Sequence, residues 1–112
     1  MKISKERRAN RRYLIHLPVR YRLSSAGQNI AGTGTTRDLS STGLSFRCRK
    51  YLPSGLQVQL AIDWPARHDG IHSMALILSG YVVRSGLGKA AVRITSHRFA
   101  IPSREQPFRA TA

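Results

Sequence analysis

The sequence predicts an all-β fold, a small six-stranded antiparallel β-barrel over residues 13–97, with a basic arm at 1–12 and a tail at 98–112. Three observations lead there. Segments with apolar residues at every second position recur from Tyr13 to Thr95, the pattern of strands with one buried face. Clusters of Gly, Ser, Pro and Asn separate them at regular spacing. No stretch carries an apolar stripe at helical spacing over three turns. Closing such strands into a barrel removes the exposed edges that a small all-β chain otherwise has to protect.

The first strand is expected from Tyr13 to Leu23, where Tyr13, Ile15, Leu17, Val19, Tyr21 and Leu23 alternate with polar positions and Pro18 suits an edge or a strand start. Residues 24–29 form a turn, and residues 30–37 pair back as a hairpin with a bulge or bend at Gly32 and Gly34. Gly43 to Cys48 alternates again, and Tyr51 to Gly55 is a turn. Leu56, Val58, Leu60 and Ile62 form the clearest strand, which Trp64-Pro65 ends before a loop at 66–70. Residues 73–84 form a long apolar strand bent at Gly80. A Ser-Gly-Leu-Gly turn at 85–88 leads into the last strand, Lys89 to Thr95.

The chain has 112 residues, 41% of them hydrophobic, enough for one domain with a modest core. No apolar run approaches the ~18 residues of a membrane span, and the opening MKISKERRANRR lacks the apolar core of a secretory signal. One cysteine, Cys48, excludes an internal disulfide and reads as a core residue, so a cytoplasmic location is expected. The net charge of +14 favours anionic partners. Residues 1–22 hold eight of the cations against Glu6 alone, and most are arginines, suited to bidentate contact with phosphate or a guanine edge.

Ahead of the strand at Gly43 stands Asp38-Leu-Ser40-Ser-Thr-Gly43, a D-x-S-x-x-G pattern. These residue types also build ordinary turns, with Gly43 supplying positive φ. As a site, the Asp38 carboxylate can accept two hydrogen bonds from a guanine Watson–Crick edge, with the Ser40 hydroxyl beside it. Gly43 allows close backbone approach, and the arginines hold phosphates.

An R-x-x-x-R spacing in the arm followed some two dozen residues later by D-x-S-x-x-G at the start of a strand resembles the PilZ domain family, over roughly residues 6–96. Arg8 and Arg12 take the two arginine positions. Arg7 and Arg11 share the spacing, but Arg12 directly precedes the alternating strand, where the family's second arginine sits. The resemblance implies a six-stranded barrel that binds cyclic di-GMP. Arg8 and Arg12, helped by Arg7, would take phosphates and guanines, Asp38 and Ser40 would hydrogen-bond a guanine, and Gly43 would keep the loop's shape. It further implies that ligand binding orders the arm against the barrel and acts on a partner protein in trans, as a monomer or a ligand-dependent dimer. The aromatic that some members add from a late strand has its counterpart near Val82, with Tyr81 alongside.

Two other readings stand beside this one: a general nucleic-acid binder, motivated by Arg47, Arg49 and Lys50, and a ligand-independent adaptor. Only 7% of residues are aromatic, few for stacking single-stranded bases. His16, His68, His72 and His97 lack metal-ligand spacing, so no metal or other cofactor is expected. Asp38 and Asp63 have no accompanying base or nucleophile, so no enzyme is expected. Trp64 is expected to plug one end of the barrel, with a contact to a partner as the alternative. Arg47, Arg49, Lys50, Arg93 and the tail arginines suggest an acidic protein partner.

Overall fold

The computed structural model describes residues 12–25, 27–68 and 72–101. Their regular structure is entirely strand: β1 (Tyr13–Leu14), β2 (Pro18–Ser25), β3 (Gln28–Leu39), β4 (Gly43–Cys48), β5 (Gln57–His68), β6 (His72–Gly86) and β7 (Lys89–Ala100). Every pairing is antiparallel. The order β3–β2–β5–β6–β7–β4 closes on itself because β4 pairs back onto β3. The expected six-stranded barrel is thus present, with β1 as a further short strand on β3.

Alternation sends one set of side chains inward. Val19, Tyr21 and Leu23 of β2 meet Leu44, Phe46 and Cys48 of β4 and Val58, Leu60 and Ile62 of β5. The Tyr21 and Phe46 rings pack at 5.6 Å between centroids. Leu52, fully buried, closes one end of the barrel, its backbone N–H donating to Ser85 Oγ at 3.1 Å. Burying one large apolar side chain is worth about 1.5–3 kcal/mol. A one-residue slip would turn a whole strand's set outward, so the register is strongly fixed.

The strand boundaries depart from the sequence expectation wherever a ladder carries an extra residue. The run from Tyr13 to Leu23 is broken between Leu14 and Pro18 into β1 and β2. Gly32 and Gly34 lie within β3 rather than at a bend. A Cβ at Gly32 would strike the Tyr21 ring, and one at Gly34 would strike the Arg47 carbonyl oxygen. Trp64-Pro65 does not end β5. Pro65 and Ala66 are passed over in the register between Trp64 and Arg67, where a residue without an N–H is tolerated, and the strand runs on to His68. β7 runs five residues past Thr95, so Arg98, Phe99 and Ala100 belong to a strand rather than to the expected tail. Thr95 is an extra residue opposite the Ser79–Gly80 step, so the inward face shifts from Ile94 to His97 and Phe99. That shift hides the strand's continuation from a period-two reading.

Gly34→Ala should lower the midpoint of urea unfolding by the equivalent of about 1–3 kcal/mol, the usual cost of overpacking, with the slope unchanged. Burial pushes the Cys48 thiol pKa up, leaving less thiolate to react. Iodoacetamide at pH 8 should therefore label Cys48 slowly in the folded protein and rapidly in urea.

Candidate functional site

The site is built by two bulges. Thr36 points into the barrel and is fully buried. Strict alternation would send Asp38 inward as well. Instead Thr36 pairs with Phe46 and Asp38 with Ser45, so Arg37 is an extra residue and Asp38 turns to the outer face. On β6, Val82 is buried and strict alternation would bury Arg84. There Val82 pairs with Val92 and Arg84 with Ala91, so Val83 is the extra residue and Arg84 also turns outward.

Cross-strand partners then form one row around the outside of the barrel: Leu14, Asp38, Ser45, Ala91 and Arg84. Asp38 and Arg84 stand three strand spacings apart, about 14 Å. Between them Ser45 and Ala91 are small, and Gly43 in the next row pairs with Arg93, which pairs with Tyr81. The result is a shallow trough, two adjoining hollows of about 260 and 540 Å3 that share Arg12, Asp38, Ser45, Arg84 and Ala91. Among the described residues it is lined by Arg12, Arg37, Arg84, Lys89 and Arg93 against one acid, Asp38. Such a surface carries a positive field that favours anions.

Arg12 reaches Asp38 directly, Nη1 to Oδ1 at 3.4 Å. Its side chain is 68% exposed and that of Asp38 only 20%, so the contact is a loose surface pair. The end of the arm and the D-x-S-x-x-G loop therefore meet. Arg7 and Arg8 lie outside the described residues, as does Arg11. Ser40 organises the loop: its Oγ accepts from the N–H of Gly43 at 3.1 Å and of Thr42 at 3.3 Å, and its own N–H donates to the Gly43 carbonyl at 2.8 Å. Gly43 has no positive φ; those of Gly27, Gly55 and Gly88 are positive. Its requirement is close approach instead, since a Cβ would sit 3.2 Å from the Val92 carbonyl oxygen.

What fixes Arg12 over Asp38 is Thr36. Leu14 pairs with Asp38 and Pro18 with Thr35, so the β1–β2 run has one residue more than β3 beside it. Ile15 donates to the Arg37 carbonyl at 3.2 Å and Thr36 to the Leu17 carbonyl at 2.9 Å, leaving His16 as the looped residue. The Thr36 hydroxyl fills the break, accepting from the Leu17 N–H at 2.8 Å and donating to the Ile15 carbonyl at 2.7 Å. It is the buried polar side chain among the described residues, and it is fully satisfied.

Arg84 and Arg93 escaped the sequence reading of the site. Residues 73–84 read only as an apolar strand, and the bulge at Val83 that exposes Arg84 leaves no compositional mark. Tyr81, 40% exposed, lies in the row of Arg93.

Over residues 6–99 the chain matches the family described as PilZ domain. The chain belongs to the PilZ domain family. A solved structure similar to it is the PilZ domain of CeSA from a cellulose-synthesizing bacterium, 26% identical, with a TM-score of 0.57 over 76% of this chain and 80% of that one. No curated protein matches the chain in sequence. PilZ domains are known as a family of cyclic di-GMP binders. Among the described residues no helix is long and apolar enough to cross a membrane.

Thr36→Val keeps the shape and strands two backbone groups, so it should lower stability by about 1–3 kcal/mol in urea unfolding. Thr36→Ser, which keeps the hydroxyl, should retain most of it.

Proposed function

We propose that this PilZ domain is a receptor for cyclic di-GMP that signals to a partner protein in trans. The observation that carries the reading is the meeting of Arg12 with Asp38 on a trough whose opposite wall supplies Arg84 and Arg93. Asp38 accepts the N1–H and N2–H of one guanine. Arg12, Arg84 and Arg93 take the phosphates and the O6/N7 edge, for which planar guanidinium forks are suited. Arg7 and Arg8 of the arm close over the ligand from the side of Arg12. Ser40 presents Asp38 by holding the loop, and Gly43 with Ser45 and Ala91 leaves the floor low enough for a base to lie on it. Guanidinium stacking on the purine face adds to the hold.

Opening the Arg12–Asp38 contact costs little, because an exposed ion pair contributes about 0–1 kcal/mol. The arm therefore exchanges one weak carboxylate contact for two ligand phosphates. The reading requires no chemical step, and the chain acts by binding rather than catalysis. The similar domain of CeSA comes from a cellulose-synthesizing bacterium, which supports a polysaccharide-producing assembly as one setting for the partner.

Isothermal titration of the full chain with cyclic di-GMP should give saturable heat at concentrations on the order of micromolar. Arg12→Ala and Asp38→Ala should each weaken binding at least tenfold, about 1.4 kcal/mol or more. Arg84→Ala should weaken it by a smaller factor, more at low salt than at high. Unchanged affinity in the first two variants would reject the site.

A further inference from the structure

The other side of the arm's end borders a second, different concavity. β4 pairs with β7 only as far as Gly43 with Arg93, and β2 pairs with β5 only as far as Val19 with Ile62. Beyond those points β5, β6 and β7 run on together, and the barrel splays open at that end. The inner side of this extension carries Trp64, Leu76, Ile94, His97 and Phe99. Tyr13, Ile15 and the Leu39–Ser41 loop face it across a groove of about 610 Å3. That volume lies within the range of about 300–1,000 Å3 typical of binding sites. The wall is almost wholly apolar, and much of it is reachable: Tyr13 is 56% and Phe99 48% exposed, with the Trp64 and Phe99 rings held edge-to-face at 5.5 Å. A continuous apolar hollow of this kind on a strongly charged surface marks an interaction site.

We infer that this groove docks an acidic segment of a partner protein through apolar side chains inserted between Tyr13 and Phe99. The charge around it selects the occupant. Arg12 and Arg93 adjoin the wall residues Tyr13 and Ile94 but point to the outer face, so they act on an approaching partner as a field over this end of the barrel rather than by contact inside the groove, and His97 is part of the wall. Among the described residues the acids are Asp38 and Asp63, and each already faces an arginine, Arg12 at 3.4 Å and Arg20 at 4.0 Å. The chain's net charge of +14 steers acidic partners toward the groove and repels basic ones, a second copy of this chain included. The inserted apolar groups supply the residence time, and the flanking carboxylates supply rate and selectivity. The inference gives a place and a chemistry to the partner invoked above, yet the docking needs no nucleotide.

The chain has one tryptophan, Trp64, and it reports on the groove itself. A random linear-peptide library is selected on the full-length protein in nucleotide-free buffer, so the outcome is independent of the cyclic di-GMP titration. Enriched peptides should combine Asp or Glu with aromatic or aliphatic residues, and their synthetic forms should shift Trp64 emission to the blue with saturation. Phe99→Ser should weaken that binding at least tenfold. His97→Glu, a change at an exposed position that puts a negative charge in the wall, should weaken it several-fold. No enrichment, enrichment of basic peptides, or binding undiminished in both variants would overturn the proposal. So would a blue shift that grows with protein concentration in the absence of peptide, which would assign the groove to a second copy.

Discussion

Where β1 runs into β2 the chain carries one residue more than the strand beside it, and the hydroxyl of Thr36 takes up the two backbone groups left over. A buried N–H or carbonyl without a partner costs about 1–3 kcal/mol. The offset of His16 is tolerable only because a donor and acceptor stands there on the inner face. The offset sets where Arg12 emerges. The Arg37 bulge next to Thr36 sets where Asp38 emerges. Remove either and the arm and the loop motif would project in unrelated directions. The trough is thus a product of ladder irregularities placed on an otherwise regular barrel, which is how a sheet re-aims a side chain without losing its core.

The inner face was legible in the sequence because burial enforces period two. β4 runs from Gly43 to Cys48 as expected, and the alternating residues of β5 are in the core. The loop at Asp38–Gly43 was legible as a turn, which Ser40 closes onto Gly43, although the positive φ expected at Gly43 is absent. Bulges were not legible. An extra residue at Arg37, Val83 or Thr95 changes no composition and only inverts the face of everything after it. That inversion hid Arg84 and the last five residues of β7, and it moved the supposed distortion at Gly32 and Gly34 to Arg37. Pro65 reads as a stop because it lacks an N–H, and the bulge that excuses it is set by tertiary pairing with β6.

The surplus of positive charge now divides by place rather than by count. Arg12, Arg37, Arg84, Lys89 and Arg93 line the trough, and they come from the arm's end and from β3, β6 and β7. Segments far apart in sequence contribute to a single field because the barrel closes β4 between β3 and β7. Clustering along the chain and clustering in space are different properties, and closure of the sheet is what connects them.

Arg12 and Tyr13 are consecutive residues in extended backbone, and so they look to opposite sides: Arg12 to Asp38 on the outer face, Tyr13 into the apolar groove. Neither can shift far without carrying the other. Thermodynamics makes such a linkage reciprocal. Where occupants of the two sides favour the same setting of this dipeptide, each strengthens the other's binding by the same factor, and where they favour different settings each weakens it by the same factor. Arg12 and the first residue of β1 thus give the outer surface and the open end of the barrel one shared piece of backbone.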